Sequence, residues 1–220
     1  DYQARCAGLM RIGLSVADLC IYLGENAPIK LLANRLPEIP EGYDFDVCTQ
    51  DALLSRISAK DGRIVLPDGV NYQMLVLQRN GDVSLHALRK IANLVKEGVP
   101  LYGSQPSSSG SLNDSAFVKE YQALVNQLWG TEKSGIKNYG KGTVYWGITL
   151  AEALVKERIK PDAGFKSGNI VTDKIYFAHR NLGDRDIYFF NNHSKNIFKD
   201  TIRLRTTATN AEYWDPTTGF

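Results

Sequence analysis

"YQMLVL" (72–77), "SLHALRKIANLVKEG" (84–98) and "VPLYG" (99–103) follow one another along the chain. The first is a continuous apolar run, the pattern of a strand buried on both faces. The second predicts a helix, with Ser84 as N-cap, Leu85, Leu88, Ile91, Leu94 and Val95 on one face, and Gly98 as its stop. The third is again short and apolar. Strand, helix and strand in this order make a βαβ unit, because parallel neighbours need a crossover and a helix supplies it.

The same rhythm extends outward. "YDFDVCT" (43–49) reads as a strand and "QDALLSRI" (50–57) as a short helix after it. Beyond the loop "GSQPSSSGSL" (103–112) come a helix "SAFVKEYQALVNQLWG" (115–130), a strand "GTVYWG" (142–147) and a helix "TLAEALVKERI" (149–159) capped by Thr149. Upstream, "VADLCIYLG" (16–24) reads as a strand, and residues 25–43, with Pro28, Pro37 and Pro40, as a long loop. "KDGRIVLPDG" (60–69) suggests a hairpin-like excursion. Strand and helix alternate four times between residues 43 and 159, which predicts an α/β fold: a parallel sheet with helices on both faces.

The two ends depart from that rhythm. In "YQARCAGLMRIG" (2–13), Cys6, Leu9, Met10 and Ile12 recur at near-helical spacing and Gly13 is a stop. "DKIYFAHRNLGDRDIYFFNNHS" (173–194) is two alternating runs around "NLGDRD", a hairpin signal. "DTIRLRTT" (200–207) and "AEYWDPTTG" (211–219) read as further strands. The last fifty residues are therefore expected to open an antiparallel sheet, with a boundary at 165–172.

Composition narrows the function classes. Hydrophobic residues make up 43% and charged residues 23% of the 220, ordinary globular values. Twenty-six basic and 24 acidic residues are mixed along the chain, so there is no electrostatic footprint for nucleic acid. No apolar run approaches the ~20 residues that a membrane-spanning helix needs. Cys6, Cys20 and Cys48 are too few and too irregularly spaced for a disulfide framework or a zinc site, and read as buried or half-buried thiols. The chain lacks an initiator Met and a signal peptide and stops just after a turn signal, so it reads as a piece of a longer protein.

In "GSQPSSSGSL", Gly103 and Gly110 are too far apart for a phosphate-binding loop and no Lys follows. The first strand ends in "GENAP" rather than a dinucleotide fingerprint, so no cofactor is expected. Cys48 sits between a strand and a helix, yet "DVCTQD" lacks the glycines of a nucleophile elbow, and His86, His179 and His193 lie elsewhere in the pattern. Glycoside hydrolysis needs two carboxyl groups flanking a sugar. Glu25, Asp44, Asp46, Asp184 and Asp186 are candidates, but nothing in the sequence pairs them, and Asp184 and Asp186 fit a hairpin turn and strand edge equally well. His179 with Asp184 or Asp186 lacks a recognisable metal-ligand spacing, so no metal is expected. Tyr145, Trp146, Tyr213 and Trp214 fall in expected strands and read as core rather than as a sugar platform.

The order of segments carries more. "YQARCAGLMRIG…VADLCIYLGENAP", "GYDFDVCTQDALLSRISAKDGRIVLPDGVNYQMLVL", "LRKIANLVKEGVPLYG", "HRNLGDRDIYFFNN" and "AEYWDPTTG" together resemble the large α-L-rhamnosidase-type glycoside hydrolases of family 106 and relatives. The resemblance implies a catalytic barrel upstream, of which residues 1–14 are the last helix. It implies a degenerate, flavodoxin-like or amidotransferase-like α/β domain over 15–165 and the first strands of a β-sandwich over 170–220. The catalytic residues would then precede Asp1, and none is assigned to this chain. The expected partners are the rest of the parent polypeptide and, through it, a plant-type or other complex carbohydrate, with a parent exported to the periplasm or beyond the cell.

In open α/β sheets the ligand-facing rim lies at the carboxyl ends of the strands. Here that rim comprises Gly24, Glu25 and Asn26, then Thr49, then Ser104 and Gln105. Glu25, Asn26, Ser104 and Gln105 are the substrate-rim candidates, with Glu25 and Asn26 foremost because together they can accept from and donate to hydroxyls. Two other readings compete with an accessory region of a glycoside hydrolase. One is an autonomous carbohydrate-binding or interaction module, and the other a flavodoxin-like cofactor binder.

Overall fold

The computed structural model of the protein describes residues 1–25, 31, 33–106, 108–166 and 175–219. In chain order the elements are α1 (Tyr2–Leu9), β1 (Leu14–Val16), β2 (Leu19–Tyr22), β3 (Phe45–Cys48), α2 (Gln50–Ser55), β4 (Ser58–Lys60), β5 (Arg63–Val65), β6 (Asn71–Tyr72) and β7 (Met74–Leu77). There follow α3 (Leu85–Lys96), β8 (Leu101–Tyr102), α4 (Val118–Leu128), β9 (Gly135–Tyr139), β10 (Gly142–Trp146), α5 (Leu150–Lys156), β11 (Ala163–Phe165), β12 (Ile175–Asn181), β13 (Asp186–Asn192) and β14 (Ile202–Leu204). They divide into two compact units, residues 17–160 and residues 1–16 with 161–220.

The central unit is a mixed α/β layer structure. Its six-stranded sheet has the order β3-β2-β7-β8-β10-β9. The first five strands are mutually parallel and β9 pairs antiparallel with β10 at the edge. All four residues of β2 and all four of β7 are buried. That is why these strands read as unbroken apolar runs: a sheet covered on both faces has no polar side to alternate with.

Alternation survives in direction. Cys20, Tyr22, Leu75 and Leu77 point into the cluster that packs under α2, α3 and α4. Leu19, Ile21, Met74 and Val76 point into the opposite cluster, closed by Leu150, Ala153 and Leu154 of α5 and by Leu36, Ile39 and Tyr43 of the long loop. Helices thus lie on both faces, three against one, with loop residues covering part of the second face.

Local signals explain the helices. Ser84 Oγ accepts from the Ala87 amide at the start of α3, and Thr49 caps α2 by accepting from Ala52. At α5 a full capping box forms, with Thr149 Oγ1 accepting from the Glu152 amide and Glu152 accepting from the Thr149 amide at 2.8 Å. Thr149→Ala is therefore expected to lower stability by about 1 kcal/mol, seen as a lower urea midpoint at an unchanged slope.

Three expected elements turn out differently. The strand expected over 16–24 is shorter: β2 (Leu19–Tyr22) enters the parallel sheet, whereas Val16 is the last residue of β1, which pairs with β12. Asp18 separates them. Its amide donates to the Asp44 carbonyl at 2.9 Å and its carboxylate accepts from Gln73 Nε2 at 2.6 Å, so a buried polar residue bends the chain inside an apolar run. The hairpin-like excursion is a three-stranded antiparallel sheet, β4-β5-β6. "AEYWDPTTG" is not a strand: Asp215 Oδ1 accepts from the Thr217 amide and the Asp215 carbonyl from the Gly219 amide, so turn chemistry wins. Tyr145 and Trp146 are core residues as expected, whereas Tyr213 and Trp214 are 88% and 61% exposed.

The second unit holds a three-stranded antiparallel sheet, β1-β12-β13, and the two-stranded pair β11-β14. The β12–β13 hairpin is in register from Ile175↔Asn192 to Asn181↔Asp186. Its turn is held by the Leu182 amide on the Arg185 carbonyl and by Gly183, whose φ of +91° suits glycine.

Candidate functional site

The carboxyl ends of β2, β7 and β8 bring most of the expected rim together. Glu25 follows β2, but its carboxylate serves its own chain: Oε1 accepts from Tyr22 Oη at 2.8 Å and from the Ser84 amide at 2.9 Å. It therefore joins the end of β2 to the start of α3. The Tyr22 hydroxyl is pushed up from its ordinary pKa by burial and by this carboxylate, so it stays a donor. Asn26 lies outside the described residues. Thr49 is engaged as the α2 cap.

Ser104 and Gln105 are exposed and help to line a small hollow together with Tyr22, Gly24, Leu77 and Gln78. The enclosed volume is about 10 Å³, room for one oxygen-sized group. A second hollow of about 40 Å³ shares Leu77 and Ser104 and is lined by Arg79, Tyr102 and Gly147. Gly103 lines the second, and its φ of +147° with a would-be Cβ only 2.7 Å from Leu77 Cβ shows that only glycine lets the loop after β8 settle on the end of β7. The serine loop beyond is held by Ser108 Oγ on Asp82 at 2.5 Å and by Tyr121 Oη on the Ser108 carbonyl at 2.9 Å. Its serines make turns and tethers.

The other carboxylates are also engaged. Asp44 Oδ1 accepts from the Phe45 amide, and Asp46 Oδ2 accepts from Tyr72 Oη at 3.0 Å. Asp184 is exposed and pairs with its neighbour Arg185. The Cys20 thiol is pushed far up by its hydrogen bond to Cys48 and by burial, which makes it a poor nucleophile. Among the described residues no group of three or more His, Cys, Asp and Glu is placed to hold a metal.

A cluster in the second unit was missed by sequence reasoning in its main partner. His179, 5% exposed, lies between two carboxylates, with Nδ1 2.8 Å from Asp162 Oδ2 and Nε2 3.0 Å from Asp186 Oδ1. Tyr188 stacks on the imidazole at 4.0 Å and donates to Asp162 Oδ1. Arg205 reaches the same Asp162 oxygen at 3.4 Å. Asn181 and Thr206 donate to Asp186 at 2.7 and 2.6 Å.

With a carboxylate at each ring nitrogen, both nitrogens are donors and the ring is imidazolium. Burial pushes the His179 pKa down, but Asp162 and Asp186 outweigh it and the net shift is upward. Burial likewise raises Asp186, and hydrogen bonds from Thr206, Asn181 and His179 bring it below the ordinary carboxylate value. Every polar atom of this histidine is spoken for, so the cluster is a clamp on the hairpin and its neighbours rather than an acid–base pair. The two-residue period of a hairpin would have placed His179, Asn181, Asp186 and Tyr188 on one face. Nothing local points to Asp162, 17 residues before His179.

Comparison with known proteins agrees with the arrangement as part of something larger. The α-L-rhamnosidase family profile matches residues 1–220. A protein of Formosa agariphila described as a putative beta-glucuronidase is 32% identical over 221 residues, covering 100% of this chain and 18% of its own length. The solved structure of the rhamnosidase from Novosphingobium sp. PP1Y superposes with a TM-score of 0.89 at 29% identity, covering 100% of this chain and 21% of that one. The chain thus spans about a fifth of the length of the relatives it matches. Along its whole length, it belongs to the α-L-rhamnosidase family of glycoside hydrolases.

Proposed function

We propose that this chain is a non-catalytic accessory region of an α-L-rhamnosidase-like glycoside hydrolase, supporting a catalytic barrel and edging the sugar cleft. The observation that carries the reading is the state of the carboxylates. Glu25, Asp44, Asp46, Asp184 and Asp186 each accept from donors of this chain, and a glycosidase needs two carboxyl groups free to face the glycosidic bond. The share of the relatives' length leaves ample chain to hold such a pair elsewhere.

In this reading residues 1–14 are the last helix of the barrel, 15–165 an amidotransferase-like domain, and 170–220 the first strands of a β-sandwich. Numbered within the central sheet alone, the parallel strands run 2-1-3-4-5, an order that supports a flavodoxin-like assignment. Glu25 sits at the rim as a strut between β2 and α3, and Ser104 and Gln105 are the exposed rim side chains that remain available to a sugar.

The test is hydrolysis of aryl α-L-rhamnoside and aryl β-glucuronide by this chain beside the full-length protein. Turnover of the rhamnoside by the full-length protein alone is the expected result. Comparable turnover by the 220-residue chain would overturn the reading and make Glu25, Asp184 and Asp186 the first residues to replace.

A further inference from the structure

Tyr213 and Trp214 stand side by side in "NAEYWDPTTG" (210–219) and are 88% and 61% exposed, the most exposed aromatics among the described residues. Sequence reasoning reads them as core, and the structure removes that reading: no strand forms here and neither ring is buried. Single exposed apolar residues are ordinary. An adjacent Tyr–Trp pair with both rings in solvent is not, because aromatic side chains carry the largest apolar area of any residue.

The segment that carries them is pinned. Its turn closes on Asp215, and Arg5 of α1 donates to the Pro216 and Thr217 carbonyls at 3.0 and 2.9 Å. The indole is oriented as well: Trp214 Nε1–H donates to Glu212 Oε2 at 3.2 Å, which spends its one polar group at the ring edge and leaves the faces apolar. The tip of the β12–β13 hairpin lies close by. There the Arg185 guanidinium pairs with Asp184 at 3.0 Å, and its pKa is raised by that bond and, in smaller part, by the nearby Glu212 carboxylate. A flat apolar ring is thus bordered by a carboxylate and by an ion pair whose side chains are each 69% exposed.

That border selects the partner. A polypeptide surface packed over Trp214 would bring Glu212, Arg185 and Asp184 into the contact, and charged groups are depleted from the core of such contacts because desolvating them is costly. A pyranose is apolar on its C–H face and polar around its hydroxyl edge. It covers the ring while the charges stay hydrated or meet hydroxyls. We propose that Trp214 is a carbohydrate platform, stacking one neutral pyranose on its indole face, with Glu212 accepting from and Arg185 donating to the sugar's hydroxyls. The inference rests on the accessory reading above for its ligand class, and it adds a sugar-binding position in the second unit.

The measurement is affinity electrophoresis of the full-length protein, its Trp214→Ala variant and its Trp214→Phe variant in gels containing a neutral polysaccharide of α-linked L-rhamnose. Retardation of the wild type is expected. The apparent dissociation constant should rise about tenfold in Trp214→Ala and about threefold in Trp214→Phe, which keeps a smaller aromatic face. Urea midpoints of the three proteins should agree, since a solvent-facing indole contributes little to folding. A midpoint lowered in Trp214→Ala as for a core residue would show that the rest of the full-length chain covers the ring, and would overturn the proposal. Equal retardation of all three proteins, or none of the wild type, would overturn it too. Rhamnoside hydrolysis is assayed on the same wild-type sample. Hydrolysis with unaltered variant retardation sinks this inference alone, whereas weakened retardation without hydrolysis sinks the rhamnosidase reading and leaves the platform standing.

Discussion

Asp162→Ala is expected to destabilise the unit that contains it by about 3–5 kcal/mol. Asp162 is 1% exposed and serves three partners: His179 at 2.8 Å, Tyr188 at 2.9 Å and Arg205 at 3.4 Å. Its removal leaves a buried imidazolium with one carboxylate where it had two, and a stacked tyrosine hydroxyl without that acceptor. The readout is loss of hydrogen-exchange protection at the amides of β12 and β13.

The penalty should depend on pH in a definite direction. His179 has a raised folded-state pKa, so its contribution is complete below the unfolded value of about 6.5 and fades as pH rises through the folded value. Asp186 has a lowered one, so its contribution is present above about 3.8 and fades on acidification through its folded value. The clamp is therefore strongest between those limits. The difference between wild type and Asp162→Ala should shrink as pH is raised past the folded value of His179. A penalty that stayed constant from pH 5 to pH 9 would show that the histidine is neutral in the folded protein.

Trp129→Ala carries the other large effect, about 3–5 kcal/mol from the central unit. Trp129 follows α4, is 1% exposed within the cluster under α2, α3 and α4, and donates Nε1–H to the Gly103 carbonyl at 2.9 Å. Alanine opens a cavity and also strands that carbonyl. Trp129→Phe separates the two contributions, because it keeps most of the packing and loses only the donor, and it is expected to cost about 1–3 kcal/mol. Urea midpoints of both variants decide it; equal losses would mean that the hydrogen bond, and not the volume, fixes the loop after β8.

Some of this was legible in the chain itself. The βαβ rhythm, the helix caps at Ser84 and Thr149 and the "NLGDRD" hairpin all appear where periodicity and turn chemistry place them. Those signals lie within a few residues, since a cap bonds three residues onward and a strand alternates every second one. β9 gave a weaker signal, because it is an edge strand with half-buried and exposed residues alternating and no apolar run.

What the tertiary structure decided are the matters settled by partners far apart in sequence. The run 16–24 is one apolar stretch, and only Asp44 and Gln73 reveal that Asp18 divides it between two sheets. Glu25 looks like a rim carboxylate until Ser84, 59 residues on, is seen to donate to it. His179 looks like a hairpin residue until Asp162 closes on its other nitrogen. Gln78 looks like the end of a strand, and burial of its amide without a hydrogen-bond partner among the described residues is a property of its surroundings alone. Local chemistry fixes which elements form, whereas the assignment of each polar side chain as strut, clamp or open donor depends on which distant backbone and side-chain groups the packing brings within 3 Å.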